Sequence, residues 1–231
     1  MAHYTDRVFA PIDLDHSLER LGGGNETEVY RSDDGRYVVK LKADLGGSAA
    51  DAARIAQGMR DAADSFARCL GPRASIPSFY LIADDSAHRA QVLVIQPFLE
   101  GARPLAALDY DALPKAERRS IAIQLRDIIA RSLRFYGDSG SMPDLYGRAS
   151  KSHEERRRNN SLAALPERMW SFLVERNLLR SHNLMYTEDG RVVLVDYDVV
   201  RQGWLYRKVY FTVRWVLFWR DHLLIHLMRK G

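Results

Sequence analysis

The chain cannot form a disulfide bond within itself, because Cys69 is its one cysteine. Small secreted domains commonly depend on several disulfides, whereas thiols stay reduced in the cytoplasm. The cysteine content therefore excludes a disulfide-stabilised scaffold and favours a cytoplasmic protein. Cys69 lies close to Ala67 and Leu70 in an apolar segment, which predicts that its side chain packs in the core.

Long hydrophobic runs are also missing. A membrane-spanning helix needs about twenty consecutive apolar residues, and no such run occurs without interruption by charge. Met1–Arg7 lacks the apolar core of a signal peptide, so we expect a soluble protein. The chain of 231 residues is 46% hydrophobic, enough for one two-lobed domain or two small domains.

The excess of positive charge is small. A net charge of +4 is compatible with a nucleotide or an anionic surface as partner. It does not require nucleic acid, and we expect no nucleic-acid partner.

A glycine-rich segment lies near the start of the sequence. Residues 21–30 read Leu-Gly-Gly-Gly-Asn-Glu-Thr-Glu-Val-Tyr, and a short turn leads to a strand pattern, Tyr-Val-Val-Lys, that ends at Lys40. Glycines leave backbone N–H groups uncovered, and a lysine at the end of the next strand can reach phosphate oxygens. We therefore predict that Gly22, Gly23, Gly24 and Lys40 contact nucleotide phosphates.

Two polar residues flank a predicted hairpin far downstream. Asn183 precedes an apolar triplet, a Thr-Glu-Asp-Gly turn follows, and the run Val192–Val195 leads to Asp196. Asp-Gly is a hairpin turn signal, so Asn183 and Asp196 should lie side by side. An amide oxygen and a carboxylate are ligands that suit Mg²⁺. The alternative is an ordinary surface hairpin with a polar residue at each end.

Together these two segments resemble the protein-kinase-like superfamily, and more its aminoglycoside and choline kinase branch than its signalling enzymes. Gly22, Gly24, Val29 and Tyr30 fall on the spacing of the kinase glycine-rich loop. The Tyr-Val-Val-Lys strand that ends at Lys40 is similar to the kinase Val-Ala-Ile-Lys.

The resemblance implies an α+β fold of two lobes. Residues 1–97 would form a nucleotide-binding lobe, with a small antiparallel sheet and a helix. Residues 98–231 would form a mainly helical catalytic lobe that contains the hairpin. ATP and Mg²⁺ would be the cofactors, with Mg²⁺ held by Asn183 and Asp196, and the reaction would be phosphoryl transfer to a hydroxyl group.

The resemblance also suggests roles for residues between the two segments. The Pro-Gly-containing stretch after Gln96 is similar to the hinge of small-molecule kinases, where backbone groups of Gln96 to Phe98 would bind the adenine edge. The helix predicted after Lys40 contains no glutamate, so Asp61 is the favoured acidic partner of Lys40, ahead of Asp64. The alternatives are a plain interdomain linker and solvated acids on an exposed face.

The general base is not obvious from the sequence. In kinase-like catalytic loops an aspartate precedes the metal-binding asparagine by about five residues, but residues 178–182 contain no acid. If residues 148–182 form an insertion, Asp144 of a Pro-Asp-Leu-Tyr-Gly segment would lie beside Asn183 and act as the base. His182 is a weaker candidate for the same role.

The opposing hypothesis is a pseudokinase, a nucleotide-binding or interaction module without turnover. Thr27 replaces the third glycine of the loop, and Asp198 stands where the kinase Asp-Phe-Gly motif has glycine. In that case the Pro-Asp-Leu-Tyr-Gly segment around Asp144 would be only a turn.

Two long helices are predicted for the second half of the chain. Apolar residues recur at helical spacing over Pro114–Tyr136, which Gly137 should end. Gly203–Gly231 is rich in aromatic residues and should pack on that helix, or lie in a membrane interface as a peripheral contact. About thirty residues follow Asp198, too few for the helical lobe of a protein kinase, which favours a small-molecule or lipid-linked acceptor.

Overall fold

The computed structural model describes residues 19–24, 27–42, 48–84, 90–140, 143, 145–146, 177–197 and 204–230. Asp144, Asp198 and most of the predicted insertion lie outside the described residues. The chain divides into two compact units. The first contains the described residues up to Ala63 together with Pro77–Phe98, and the second contains Asp64–Ile76 and the described residues from Leu99 onward.

An antiparallel five-stranded sheet forms the first unit. Its strands are β1 (Glu19–Gly24), β2 (Thr27–Arg31), β3 (Tyr37–Lys42), β4 (Phe79–Asp84) and β5 (Ala90–Pro97). The strand order is β1-β2-β3-β5-β4. Between β2 and β3, Gly35 adopts a φ of 69° and its N–H donates to the Ser32 carbonyl at 2.9 Å. The predicted small antiparallel sheet is confirmed.

The two faces of this sheet differ in chemistry, because successive side chains of a strand point to opposite faces. One face holds an apolar cluster centred on Val39, Leu93 and Ile95, each almost fully buried. Residues that alternate with these occupy the other face. Lys40 follows Val39 directly and therefore points away from the apolar cluster.

Helix α1 (Ala49–Leu70) lies between β3 and β4 in the chain. Its first turn is capped by Ser48, whose hydroxyl accepts the Asp51 N–H at 3.2 Å and donates to the Asp51 carboxylate at 2.8 Å. A buried stripe with helical spacing runs along the helix: Ala52, Ala56, Met59, Ala63, Phe66 and Leu70. Gly71, with a φ of 80°, ends it.

Cys69 is partly buried near the end of α1, and its sulfur lies 3.5 Å from the Arg131 carbonyl oxygen. Burial raises the pKa of the thiol to about 11, so the group stays protonated at neutral pH. A protonated thiol behaves as a small apolar group, but Cys69 is only partly buried and does not belong to the core as the sequence predicted.

Besides the end of α1, the described part of the second unit contains two long helices and a three-stranded sheet. The helices are α2 (Lys115–Ser139) and α3 (Trp204–Lys230), and the strands are β6 (Arg103–Pro104), β7 (Leu184–Tyr186) and β8 (Val192–Leu194). The strands lie in the order β6-β7-β8, with both pairs antiparallel. Helices α2 and α3 pack against each other, as the sequence predicted. The α+β fold class is therefore confirmed.

The end of α2 differs from the prediction. The helix continues through Gly137 to Ser139, and Gly140 provides the left-handed residue at its end, with a φ of 67°. The Gly140 N–H donates to the Tyr136 carbonyl at 2.8 Å. Because a glycine ends a helix through its positive φ, Gly137 in helical conformation is tolerated within it.

Gln124 of α2 fixes the β7–β8 hairpin on the helix. Its side-chain nitrogen donates to the Gly190 carbonyl at 2.8 Å, and its side-chain oxygen accepts the Val192 N–H at 2.8 Å. One partly buried side-chain amide thus satisfies two backbone groups next to β8, which fixes the position of the hairpin along α2.

Two glycines should respond to alanine in opposite ways. Gly58 is exposed within α1 with no atom near an added Cβ, so Gly58→Ala should stabilise the protein by about 0.5–1 kcal/mol. Gly101 has a φ of 62°, and an added Cβ would collide with the Glu188 side chain. Gly101→Ala should therefore destabilise by about 1–2 kcal/mol. Urea denaturation measures both, and an unchanged midpoint for Gly101→Ala would contradict the left-handed conformation.

Candidate functional site

Asn183 and Asp196 lie together at the open end of the β7–β8 hairpin. Leu184 pairs with Leu194, and one residue further out the Val195 N–H donates to the Asn183 carbonyl at 2.9 Å. Asn183 is 8% exposed, whereas Asp196 is partly exposed. The predicted hairpin is confirmed. It brings the two residues of the proposed metal site close together on its two adjacent arms.

The closed end of this hairpin explains its register. The Thr187 N–H donates to the Arg191 carbonyl at 2.9 Å, and the Gly190 N–H donates to the Thr187 carbonyl at 3.0 Å. Gly190 has a φ of 79°, which supplies the left-handed residue of the turn. A hydrogen bond from the Thr187 hydroxyl lowers the pKa of the Asp189 carboxyl, and Arg191 contributes to this shift. A fixed turn determines which residues reach the open end.

The ligand set at the open end is small. In the described part of the chain, no three residues among histidine, cysteine, aspartate and glutamate are grouped so that they could hold a metal ion. Asn183 and Asp196 supply one amide and one carboxylate. Mg²⁺ commonly binds through one or two carboxylates together with waters and substrate phosphates. The two side chains therefore suit a metal that arrives with a nucleotide.

Ser181 fixes the backbone around Asn183. Its fully buried hydroxyl donates to the Leu145 carbonyl and accepts the N–H groups of Asn183 at 3.1 Å and Leu184 at 3.0 Å. Sequence reasoning missed this residue. The available signal was local, because serine hydroxyls commonly bond to backbone N–H groups two or three residues further along the chain.

The segment Leu145–Tyr146 lies beside residues 181–183, although a long stretch of sequence separates them. The His182 N–H donates to the Tyr146 carbonyl at 3.0 Å, next to the bond from Ser181 to Leu145. Leu145 is fully buried. These contacts place the neighbours of Asp144 against the segment that contains Asn183. Asp144 itself lies outside the described residues, and its role as the base stays a prediction.

Tyr146 is held from the other side by α3. Its hydroxyl donates to the Asp221 carboxylate at 2.5 Å, and Arg220 donates to the same carboxylate at 2.6 Å. The Arg214 guanidinium lies 4.2 Å from the centre of the Tyr146 ring. Burial raises the pKa of the Asp221 carboxyl, while the bonds from Tyr146 and Arg220 oppose this shift. This buried polar cluster fixes the segment Leu145–Tyr146, which lies beside residues 181–183, relative to α3.

Tyr197 directly follows Asp196 and is fixed by two hydrogen bonds. Its buried hydroxyl accepts the Ile76 N–H at 2.8 Å and donates to the Ile76 carbonyl at 3.0 Å. Two residues earlier on the same segment, the Ala74 carbonyl accepts the Leu194 N–H at 2.9 Å. Burial raises the pKa of the Tyr197 phenol to about 12. The aspartate is therefore positioned by the hairpin on one side and by a tyrosine bond on the other.

The glycine-rich residues of the first unit are arranged differently from the prediction. Gly22, Gly23 and Gly24 belong to β1 and pair with β2, so they form a strand and not a loop. Strand β3 extends two residues beyond Lys40, which therefore does not end it. Gly22 pairs with Val29, and Val29 pairs with Lys40. Cross-strand partners share a face of the sheet, so Lys40 and Gly22 lie in one row.

The predicted adenine contacts are partly engaged within the protein. The Phe98 N–H donates to the Arg36 carbonyl at 2.7 Å, and the Arg31 guanidinium lies 4.4 Å from the centre of the Phe98 ring. Gln96 is only 3% exposed. With the Phe98 amide already bonded, an adenine edge at this position would have to be met by carbonyl oxygens, which accept hydrogen bonds.

Asp61 lies on the exposed side of α1. It accepts a hydrogen bond from the Gln57 side chain at 2.8 Å, one helical turn earlier. Met59 and Ala63 of the buried stripe point in the opposite direction. Its ion pair with Lys40 stays a prediction.

Comparisons with known proteins give structural neighbours alone. No protein-family model and no curated protein matches the chain. A GDP and kanamycin complex of APH(2")-IIia is 13% identical with a TM-score of 0.45, covering 94% of this chain and 78% of that one. The GDP complex of wild-type aminoglycoside 2'-phosphotransferase-IIIa is 13% identical with a TM-score of 0.46, covering 95% and 79%. A MAP kinase from Leishmania major is 7% identical with a TM-score of 0.43, covering 80% of this chain and 46% of that one.

Removal of the Ser181 hydroxyl should destabilise the site. Ser181→Ala leaves two buried N–H groups and one carbonyl without this partner, and each such group costs about 1–3 kcal/mol. We expect a loss of about 2 kcal/mol or more in the free energy of unfolding. Ser139→Ala, at the exposed end of α2, is the control and should change it by about 0.5 kcal/mol or less. Equal effects in urea denaturation would show that the Ser181 bonds are not formed.

Proposed function

We propose that this protein is an ATP-dependent phosphotransferase of kinase-like design, acting on a hydroxyl group of a small-molecule or lipid-linked acceptor. The observation that carries the proposal is the arrangement at the open end of the β7–β8 hairpin. There, Asn183 lies beside the chain that leads to Asp196, and Leu145–Tyr146 runs alongside. A metal-binding pair next to a segment that carries an acid is the arrangement that phosphoryl transfer needs.

The side chains at this end fit a hard cation. Asn183 would bind Mg²⁺ through its amide oxygen and Asp196 through its carboxylate, and the ion would neutralise phosphate charge during transfer. The protein's own contribution is position. Ser181 fixes the backbone of Asn183, and Tyr197 fixes the chain next to Asp196.

Asp144 is the residue that we assign as general base. It would accept the proton of the acceptor hydroxyl as the oxygen attacks the γ-phosphate and the bond to the leaving ADP breaks. Support for this role comes from its chain neighbours, because Leu145 bonds to Ser181 and Tyr146 bonds to His182. Loop-closure entropy grows slowly with length, so an insertion between the two segments is physically tolerable.

In the first unit, we assign phosphate binding to Gly22, Gly23, Gly24 and Lys40. Lys40 shares a face of the sheet with Gly22 and is only partly buried, so its ammonium group can carry a phosphate contact. Asp61 is retained as its acidic partner. We assign residues 1–97 to the nucleotide-binding lobe and residues 98–231 to the catalytic lobe.

A pseudokinase is the competing proposal, and one contact favours it. The Phe98 amide, which would bind the adenine edge, donates to the Arg36 carbonyl. A protein of this type would bind a nucleotide weakly or act through protein contacts, without phosphoryl transfer.

ATP with Mg²⁺ should raise the thermal stability of the protein, because a ligand that binds only the native state shifts the unfolding equilibrium. At a hundredfold excess over Kd the gain is about 2.7 kcal/mol, which corresponds to several degrees in Tm. Lys40→Ala should lose most of this shift, with little change in the Tm of the ligand-free protein.

Asp196→Asn should lose the Mg²⁺ dependence more completely than Asp198→Asn.

Asp189→Asn is the matched control, because Asp189 occupies the closed end of the same hairpin. It should keep the full response to ATP and Mg²⁺ in differential scanning fluorimetry. A full response in Lys40→Ala would remove Lys40 from the site. A larger effect of Asp198→Asn than of Asp196→Asn would place the metal two residues further along the chain.

Asp144→Asn should keep the thermal shift with ATP and lose phosphoryl transfer by about a hundredfold or more, the usual contribution of a positioned base. ADP formation from ATP, measured with a panel of small-molecule alcohols, provides the assay. Asp138→Asn, at the exposed end of α2, is the control and should retain activity. Activity of Asp144→Asn within a few-fold of wild type would exclude this base, and a wild type without turnover would support the pseudokinase.

A further inference from the structure

Helix α3 has apolar residues on two sides. The first side is buried, with Leu217, Phe218 and Ile225 at most 3% exposed. The second side is exposed to between 55% and 65% at six positions: Leu205, Val209, Val216, Trp219, Leu223 and Leu227. A helix on the surface of a globular domain normally has one apolar stripe, directed at the core. The exposed stripe therefore needs another explanation.

The six residues form one stripe, which exposed Thr212 interrupts between Val209 and Val216. Their spacing of three, four or seven residues keeps them within a sector of about 80° around the helix, because each residue turns by about 100°. From Leu205 to Leu227 the stripe is about 33 Å long at 1.5 Å per residue. An exposed apolar stripe of this kind marks an interaction site, whereas single exposed apolar residues do not.

The charges around the stripe are of one sign. Asp221 is the only acidic residue of α3, and it is buried on the opposite side of the helix. Exposed Lys208 borders the stripe on one side, whereas partly exposed Arg220 on the other side is paired with Asp221. The exposed side of the helix therefore offers apolar surface and positive charge, with no negative charge to repel an anionic partner.

Tryptophans lie within this surface. Trp219 is 56% exposed, and Trp215 beside it is 42% exposed. Their ring centres are 6.2 Å apart in an edge-to-face arrangement. Indole rings are favoured at the boundary between headgroups and acyl chains, where an apolar ring and a polar N–H are both accommodated.

We propose that the exposed stripe of α3 is a docking surface for an anionic lipid bilayer, with the helix lying parallel to the membrane. No helix in the described part of the chain is long and apolar enough to cross a bilayer, so the contact is interfacial. Anionic headgroups complement exposed Lys208, whereas a second copy of this chain would add the same positive charge. This proposal goes beyond the phosphotransferase activity and does not depend on it.

Vesicle flotation tests the docking surface. The wild-type protein should float with vesicles that contain phosphatidylglycerol and phosphatidylcholine, and much less with phosphatidylcholine alone. Added salt should reduce the bound fraction, because it screens the contribution of the basic residues. Trp219→Glu and Leu223→Glu should each lower binding by about tenfold or more, since each puts a negative charge into the stripe.

Ile123→Glu is the matched control, because Ile123 is a large apolar residue of α2 that is 54% exposed. It should float like the wild type. Circular dichroism must show that the glutamate variants remain folded, which their exposed positions favour. The Tm of the ATP complex separates this proposal from the proposed function, because the stripe variants should keep the nucleotide response.

Three results would overturn the proposal. The first is wild-type protein that stays at the bottom of the gradient with anionic vesicles. The second is flotation that Trp219→Glu and Leu223→Glu leave unchanged. The third is a dimer in light scattering without lipid, abolished by the same substitutions, which would assign the stripe to a second copy of the chain.

Discussion

The buried hydroxyl of Ser181 is the interaction on which the rest of the second unit depends. It joins the Leu145 carbonyl to the N–H groups of Asn183 and Leu184. A buried backbone group without a hydrogen-bond partner lowers the stability of the fold. The bonds to Ser181 therefore strongly favour this one arrangement of the three segments. Tyr146 then extends the order to Asp221 of α3. Residues distant in sequence are thereby held at one end of one short hairpin.

Helix α3 combines two physical tasks on opposite sides. Its inner side closes the core against α2 and holds Asp221 and Arg220 within a buried polar cluster. Because desolvation alone would disfavour an ionised Asp221, the bonds from Tyr146 and Arg220 are needed to offset it. Its outer side has no comparable partner among the described residues. One helix therefore connects the region of Asn183 with the exposed surface.

Local signals in the sequence were sufficient where one short segment decides the structure. The Asp-Gly turn predicted the hairpin, and with it the proximity of Asn183 and Asp196. The small antiparallel sheet followed from the resemblance of the two segments to the protein-kinase-like superfamily. The contacts of Gln124 and Tyr197, and the bond from Ser181 to Leu145, could not be predicted, because each joins a partner that only the fold brings near.

Glycines show the same division between local and distant information. Gly137 and Gly140 lie three residues apart, yet Gly137 continues α2 and only Gly140 ends it, with a φ of 67°. Gly22 to Gly24 suggested a loop by composition alone, but pairing with β2 makes them a strand. Composition therefore predicted the wrong conformation for this segment, and its contact with phosphates stays a prediction.

The bond pair between Tyr197 and Ile76 has a consequence for measuring motion. Ile76 lies outside the strands and helices, so its amide proton is protected by a tyrosine side chain and not by a regular backbone ladder. That proton can exchange with solvent only when the phenol moves away. Because Tyr197 follows Asp196 directly, the exchange rate of this single amide reports how often the chain beside Asp196 leaves its position.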